Sequence, residues 1–246
     1  MVGTPPVLHD IPWNYGGCRA GDHREPATGS KTRLYDAFAT SGKALASGKR
    51  LELLDLLAQG ERTVDALAKA AGLNLTTASA HLQTLKQAGF VATRREGVRI
   101  HYRLTGEDVA LLFALLRKVA ENHQAAVPAA RDAYLGDDGA AEVTREELNA
   151  RVAAGGVVVL DVRPAEEHRA GHIPGALSIP VGELADRVAE LPEEAEIVVY
   201  YRGEYCVLAH DAVRLLTGHG RRALRLNDGM LEWRLAELPV DTADLT

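Results

Sequence analysis

Apolar positions recur at helical spacing through the first part of the chain and then give way to strand-like alternation. The helical spacing predicts three helices, of which the second ends at Gly60 and the third at Gly72. A fourth predicted helix begins at Thr76 or Thr77, either of which can cap it, and stops at Gly89. Two short strands joined by a charged turn are predicted next, in the segment FVATRREGVRIHYRL.

Two short helices joined by a four-residue turn and followed by a hairpin have the order of a winged helix-turn-helix. Residues 106–135 then predict a long helical stretch that Pro128 interrupts. Its apolar positions cover more than one stripe, so it must bury two sides: Val109, Leu111, Leu112, Leu115, Leu116 and Val119. We expect a second copy of the chain to cover one side. The alternative is a single helix wholly inside its own core.

The pattern changes after the segment GDDGAAEV, which begins at Gly136 and is typical of a linker. Strands and helices alternate from there, and the strands are continuously apolar, which predicts a parallel sheet covered on both faces. The predicted fold is therefore a mainly-α winged helix-turn-helix domain followed by an α/β domain. The predicted boundaries are a disordered arm at 1–30, the winged domain at 31–135, a linker at 136–141 and the α/β domain at 142–246.

Length and composition support two ordinary globular domains, since 246 residues can bury two cores. No apolar run approaches the roughly 18 residues that span a bilayer, and the N-terminus lacks the pattern of a secretory signal, so we expect a cytoplasmic protein without membrane contact. The two cysteines, Cys18 and Cys206, cannot form a disulfide framework, and no CxxC or Cys/His cluster is present. We predict no metal and no cofactor.

Charge separates the two predicted domains. Residues 31–104 hold 12 Lys and Arg against 6 Asp and Glu, a net charge of +6. Residues 142–246 hold 11 Arg against 19 acidic residues, a net charge of −8. The first segment has the sign that meets phosphates and the second would repel them.

The fourth predicted helix places Ala78, Leu82 and Leu85 on its core face. The opposite face is small and polar, which suits the major groove of DNA. Three arginines flank the hairpin turn, where a wing would reach phosphates. The predicted DNA-binding residues are Thr76, Thr77, Ser79, Ala80, His81, Gln83, Lys86, Arg94, Arg95 and Arg99. The alternative is an ordinary amphipathic helix beside a solvated basic turn.

The segment TTASAHLQTLKQAGFVATRREGVRIHYRL resembles the recognition helix and wing of ArsR-type repressors, through Ser79, His81, Leu82, Leu85 and Gly89. The resemblance covers about residues 32–125. It implies a homodimer, paired through the first and last helices, that binds double-stranded operator DNA. Many ArsR repressors bind metal through cysteines in the helix before the turn. This chain has TVDALAKA there, without cysteine.

The segment VVVLDVRPAEEHRAGHIPGALSIP resembles the rhodanese superfamily, with Asp161, Arg163, Glu167 and the run GHIPGA. The segment NDGMLEWRLAELPV, with Gly229 and Trp233, resembles the closing element of that superfamily. The resemblance covers nearly all of residues 142–243. It implies an anion-binding loop of six residues between a strand and a helix: Tyr201, Arg202, Gly203, Glu204, Tyr205 and Cys206.

The resemblance places Tyr201 where rhodaneses have their nucleophilic cysteine. A phenol titrates near 10 and has no sulfur to carry a sulfane sulfur, so the family chemistry cannot run through it. Cys206 is the remaining candidate for catalysis. Either it is a small, partly buried residue at the start of the helix, or the helix N-terminus lowers its pKa and makes it a reactive thiol.

Two functions follow from these alternatives. In the first, the chain is a transcriptional regulator whose second domain senses a small anionic or sulfur-containing effector, or binds a partner, without turnover. In the second, it is a sulfurtransferase that uses Cys206 as a persulfide carrier while bound to DNA. An inert second domain is a third and weaker possibility.

Overall fold

A computed structural model describes residues 29–136, 140–203 and 205–242 of the chain and contains two domains. The predicted N-terminal arm, with Cys18, falls almost wholly outside the described residues, as do Glu204 and residues 137–139 of the predicted linker.

The first domain is mainly helical and has the predicted winged helix-turn-helix order. Its three short strands form an antiparallel sheet in the order β1-β3-β2, and β2 and β3 are the predicted hairpin. The elements are α1 (Ser30–Leu45), α2 (Gly48–Ala58), β1 (Arg62–Thr63), α3 (Val64–Ala70), α4 (Leu75–Gln87), β2 (Val91–Glu96), β3 (Arg99–Leu104), α5 (Glu107–His123) and α6 (Ala126–Leu135).

The start of α4 differs from the sequence prediction. Asn74 caps α4, since its side-chain oxygen accepts a hydrogen bond from the Thr77 amide at 2.8 Å. The predicted cap at Thr76 or Thr77 is therefore wrong, because Asn74 already has the extended backbone that a cap requires.

Pro128 interrupts the long helix, as predicted. The helix breaks at Gln124, four residues before Pro128, because the proline ring excludes the carbonyl of a helical residue at that distance.

The core of the first domain is built as the helical pattern predicted. Ala78, Leu82 and Leu85 of α4 are fully buried. Leu82 and Leu85 pack in a cluster with Leu53 of α2 and Phe113 of α5, among others. The inward face of α4 therefore fixes which side chains its outer face presents.

The second domain is an α/β domain around a five-stranded parallel sheet, as predicted. The strand order is β4-β8-β7-β5-β6. The elements are β4 (Glu142–Val143), α7 (Arg145–Ala154), β5 (Val158–Asp161), α8 (Ala165–Ala170), β6 (Leu177–Ser178), α9 (Val181–Arg187), β7 (Glu196–Tyr200), α10 (Val207–Gly218), β8 (Arg222–Leu226) and α11 (Met230–Leu235), with a 3-10 turn at Val188–Glu190.

The last helix of the second domain packs against the first domain. Leu231 of α11 is 2% exposed and belongs to the hydrophobic core of the first domain. Arg234 donates a hydrogen bond to the Ala58 carbonyl at 3.1 Å. Gly229, just before α11, lies so close to the backbone of Gly203 that a Cβ atom there would overlap it. The start of α11 thus holds the loop after β7 against the first domain.

Within the described parts of the chain, no helix combines the length and the apolar character that crossing a membrane requires.

Candidate DNA interface and interdomain cavity

The outer face of α4 is exposed, small and polar, as its pattern predicted. Thr76, Ala80, Gln83 and Lys86 are exposed, whereas Thr77, Ser79 and His81 are half-buried. Two of these side chains already have partners on the hairpin. Gln83 donates to the Tyr102 hydroxyl at 3.2 Å, and Lys86 donates to the Thr93 hydroxyl at 2.9 Å. These bonds fix the helix and the wing relative to each other.

The three predicted wing arginines are exposed, but they differ in their partners. Arg94 forms ion pairs with Glu61 at 2.6 Å and Glu96 at 2.9 Å, and these bonds raise its pKa. Arg95 donates to the Gly97 carbonyl at 3.0 Å. The charge of Arg94 is therefore compensated within the protein, and Arg95 and Arg99 are the better candidates for contacts with phosphates.

The loop after β7 has the predicted position between a parallel strand and a long helix. Tyr201 follows the strand directly and is 2% exposed. Cys206 is the residue immediately before α10. Burial raises the pKa of the Cys206 thiol to about 12, although the backbone amides of Leu208 and Ala209 lower it in part. The helix N-terminus does not activate this thiol, because desolvation outweighs it.

Arg202 lies in the loop, but its side chain turns toward Glu167 of α8. Its Nε donates to Glu167 at 2.9 Å, and its guanidinium lies 5.0 Å from the centre of the Tyr201 ring. Glu167 is 2% exposed and also binds Arg62 of β1. One carboxylate of the second domain thus binds an arginine from each domain.

Gln59, which is fully buried at the end of α2, bridges the two domains in a similar way. Its amide nitrogen donates to the Arg202 carbonyl at 3.4 Å, and its oxygen accepts from Arg163 at 3.2 Å. Arg163 itself is bound to Asp161 at 2.7 Å and to the Gly171 carbonyl at 2.8 Å. Through these contacts Arg163 supports the loops at this end of the sheet.

Asp161 is the centre of that support. The Tyr200 hydroxyl donates to it at 2.6 Å. Although burial acts to raise the pKa of Asp161, hydrogen bonds from His168 and Arg163 hold it well below its usual value. The residues that carry the rhodanese resemblance are therefore mainly structural here.

A cavity of about 520 Å³ lies between the domains, beside this loop. It is bounded by α2, α5, the end of α6 and the loop, and its lining includes Tyr201, Arg202, Tyr205 and Cys206. Asp55 of α2 also lines it. A second cavity, of about 570 Å³, lies on the α6 and β8 side and shares Tyr201, Gly203 and Cys206 with the first.

Asp55 is the titratable group of the cavity that the sequence analysis missed. Burial raises the pKa of Asp55 to about 6, while the charges of Arg117 and Arg202 partly lower it and those of Glu232 and Glu167 raise it. Asp55 forms no hydrogen bond or ion pair with any described residue. The available signal was its position inside the apolar run LELLDLLA.

Metal ligands are not grouped in the described residues, which contain no set of three or more His, Cys, Asp or Glu side chains placed to hold an ion. Glu121 and His123, the acidic and histidine pair at the end of α5, belong to no such set.

Two family models match the chain. The model of bacterial regulatory proteins of the arsR family matches residues 47–93, and that of the rhodanese-like domain matches residues 144–236.

Three similar proteins cover different parts of the chain. It is 59% identical over 211 residues to the HTH-type transcriptional regulator Rv0324 of Mycobacterium tuberculosis, a match that covers 86% of this chain and 93% of that protein. It is 31% identical over 100 residues to a sulfurtransferase of Allochromatium vinosum, covering 40% of this chain and 92% of that protein. The homodimeric winged helix-turn-helix DNA-binding domain of Mb0332 from Mycobacterium bovis, solved by NMR, is 57% identical, with 43% of this chain and 94% of that chain covered and a TM-score of 0.37.

The raised pKa of Asp55 predicts how stability depends on pH. The folded protein binds a proton at Asp55 more tightly than the unfolded chain, whose carboxyl titrates near 3.8. Protonated Asp55 therefore stabilises the folded state fully below pH 3.8, and this contribution to the free energy of unfolding is lost as pH rises through 6. Asp55→Asn, which cannot ionise, should raise the free energy of unfolding relative to wild type by on the order of 2–3 kcal/mol above pH 7 and by little at pH 4.

Urea unfolding between pH 4 and pH 8 measures this difference. Asp186→Asn, at an exposed aspartate of α9, is the control and should show no such trend. Parallel pH profiles for wild type and Asp55→Asn would contradict the assignment.

Proposed function

The chain belongs to the arsR family of bacterial regulatory proteins and has a rhodanese-like domain at its C-terminal end, and we propose that it is a homodimeric repressor that binds operator DNA through α4 and the β2–β3 wing. The observation that carries the proposal is the outer face of α4, which is exposed and small beside an arginine-bearing hairpin. Such a repressor acts where the chromosome is, so we propose the cytoplasm as its location.

In this proposal the side chains of α4 read base edges and the wing binds the backbone. Ser79 and Gln83 supply hydroxyl and amide groups suited to base edges in the major groove. Arg95 and Arg99 are exposed cations suited to phosphates. Gln83 would exchange its bond with Tyr102 for a base.

The proposed dimer rests on apolar side chains that one chain leaves exposed. On α1 these are Leu34, Tyr35 and Phe38, each more than half exposed. On α5 they are Leu111, Leu112, Leu115 and Val119, while Val109 and Phe113 on the other side of that helix are buried. A contiguous apolar surface of this kind marks a protein interface, and a second copy presents the same surface.

We further propose that the rhodanese-like domain senses an effector and does not turn it over. Tyr201 stands at the position of the family nucleophile, and it is buried and carries no sulfur. Burial raises the pKa of Cys206 to about 12, so the protonated thiol predominates at neutral pH. Sulfur transfer through Cys206 is the alternative, favoured by the similarity to a sulfurtransferase.

The first prediction concerns DNA. The double variant Ser79→Ala with Gln83→Ala should lose its preference for the operator sequence. The double variant Arg95→Ala with Arg99→Ala should instead bind all DNA more weakly. The slope of log K against log salt concentration should then fall by about 1 for each phosphate that is no longer neutralised. Retardation assays with the upstream region of the gene and with scrambled DNA, at several salt concentrations, measure both. Arg94→Ala is the matched control for the wing, and its effect should be smaller. Equal behaviour of the two double variants would refute the placement of helix and wing.

The second prediction concerns assembly. Leu111→Glu with Leu115→Glu places charges on the exposed face of α5 and should give a monomer in sedimentation, with helical content unchanged. Leu177→Glu, at an exposed leucine of β6 in the other domain, is the control and should remain dimeric. A dimer of unchanged strength in the α5 variant would mean that another surface pairs the chains.

The third prediction concerns sulfur transfer. The wild-type protein with thiosulfate and cyanide should form thiocyanate no faster than buffer, because no thiolate is available to accept the sulfane sulfur and release sulfite. Cys206→Ser and Cys18→Ser should behave like wild type. Turnover that Cys206→Ser abolishes and Cys18→Ser preserves would establish the enzyme alternative.

A further inference from the structure

The cavity between the domains has the size and position of a small-molecule site. Its volume of about 520 Å³ lies within the range of about 300–1,000 Å³ that is usual for ligand cavities, which are frequent where domains meet. The first domain contributes Asp55, Phe113 and Tyr134 to its lining, and the second contributes Tyr205 and Cys206. An occupant would therefore contact both domains at once.

Three polar groups on this cavity lack partners among the described residues. They are the Asp55 carboxylate, the Nε of Arg117 and the hydroxyl of Tyr205, and the last two atoms are fully buried. A buried polar atom without a hydrogen bond costs about 1–3 kcal/mol, and such atoms are rare in native structures. Two buried unpaired atoms and the half-buried Asp55 carboxylate on one cavity indicate an occupant that supplies both a donor and an acceptor.

The remaining walls are flat and apolar. Phe113, Tyr134, Tyr201 and Tyr205 present aromatic rings, and aliphatic side chains such as Leu51 complete the surface. The guanidinium of Arg117 lies over the Tyr205 ring at 4.7 Å, so that ring is held in place. A planar ligand fits such walls better than a tetrahedral one.

Charge decides between neutral and charged ligands. The Arg117 guanidinium is paired with Glu232 at 3.3 Å, and that of Arg202 is paired with Glu167 at 2.9 Å. Among the described residues an anion would find no unpaired cation, and it would lie beside the Asp55 carboxylate. An amidinium cation carries N–H donors only, so it would pair with Asp55 but leave the Arg117 Nε–H without an acceptor. The cavity therefore favours a molecule that offers a donor and an acceptor together, as a neutral amide does.

We propose that this cavity binds a small, neutral, planar ligand of the aromatic-amide type, whose N–H donates to Asp55 and whose carbonyl accepts from Arg117 Nε or the Tyr205 hydroxyl. The occupant joins α2 and α5 to the loop after β7. Its effect on DNA affinity, which rests on the proposed function, follows if the ligand binds one arrangement of the two domains better than the other.

Three compounds of the same shape test the charge and hydrogen-bond requirements. Benzamide, benzamidine and benzoate are titrated into the full-length protein at pH 7.5, with binding followed by calorimetry or ligand-observed NMR. Benzamide should bind at least tenfold more tightly than either charged compound. Absence of benzamide binding, or equal or tighter binding of benzamidine or benzoate, would overturn the proposal.

Two variants locate the binding site. Tyr205→Phe keeps the ring but removes the hydroxyl, and Asp55→Ala removes the acceptor, so each should lower the benzamide association constant about tenfold, the effect of removing one hydrogen bond. Asp186→Ala, at an exposed aspartate of α9, is the matched control and should bind as wild type does. Unchanged binding in both cavity variants would place the ligand elsewhere and overturn the proposal.

The outcome is separable from the function proposed above. DNA retardation without any added compound tests the repressor, and benzamide titration without DNA tests the cavity. Failure of DNA binding with intact benzamide binding would reject the first proposal alone, and the reverse result would reject the second alone.

Discussion

The buried carboxylate of Glu167 organises the contact between the two domains. It binds Arg62 from the winged domain and Arg202 from the loop after β7, and it is almost inaccessible to solvent. A buried charge is tolerated only when it is paired, and removing one partner of such a pair typically costs about 3–5 kcal/mol. The position of the loop and that of the winged domain are therefore mutually dependent.

This constraint explains the character of the loop. The Arg202 side chain is bound to Glu167, and the Arg202 carbonyl accepts a hydrogen bond from Gln59. The loop is therefore part of the interface between the domains and not an open anion-binding loop. The same enclosure leaves Cys206 only partly exposed and raises the pKa of its thiol. A loop that is held in this way is better suited to transmitting a change between domains than to exchanging sulfur with solutes.

Helix α5 has a different role on each side. Phe113 packs in the core of the winged domain, and Arg117 pairs with Glu232 of α11. On the outer side, Leu111 and Val119 are exposed and form part of the proposed dimer surface. A shift of α11 or of the loop would move α5, and α5 also carries part of the proposed dimer surface. Helix α5 therefore connects the proposed cavity to the proposed dimer interface.

Local pattern in the sequence determined much of the fold. The inward face of α4, the hairpin and the parallel sheet were predicted from the spacing of apolar residues along the sequence, which is a local property of the chain. Where two local signals competed, the prediction was less accurate, because Asn74 rather than Thr76 or Thr77 caps α4.

The contact between the domains was decided by tertiary structure. Gln59 and Arg62 meet partners about a hundred positions further along the chain, and no periodicity in a sequence encodes such pairings. For the same reason the sequence alone left open whether Cys206 is a partly buried residue or a thiol activated by the helix N-terminus, and only the packed structure showed the burial that raises its pKa. Desolvation depends on which surfaces come together, and that is a property of the folded chain.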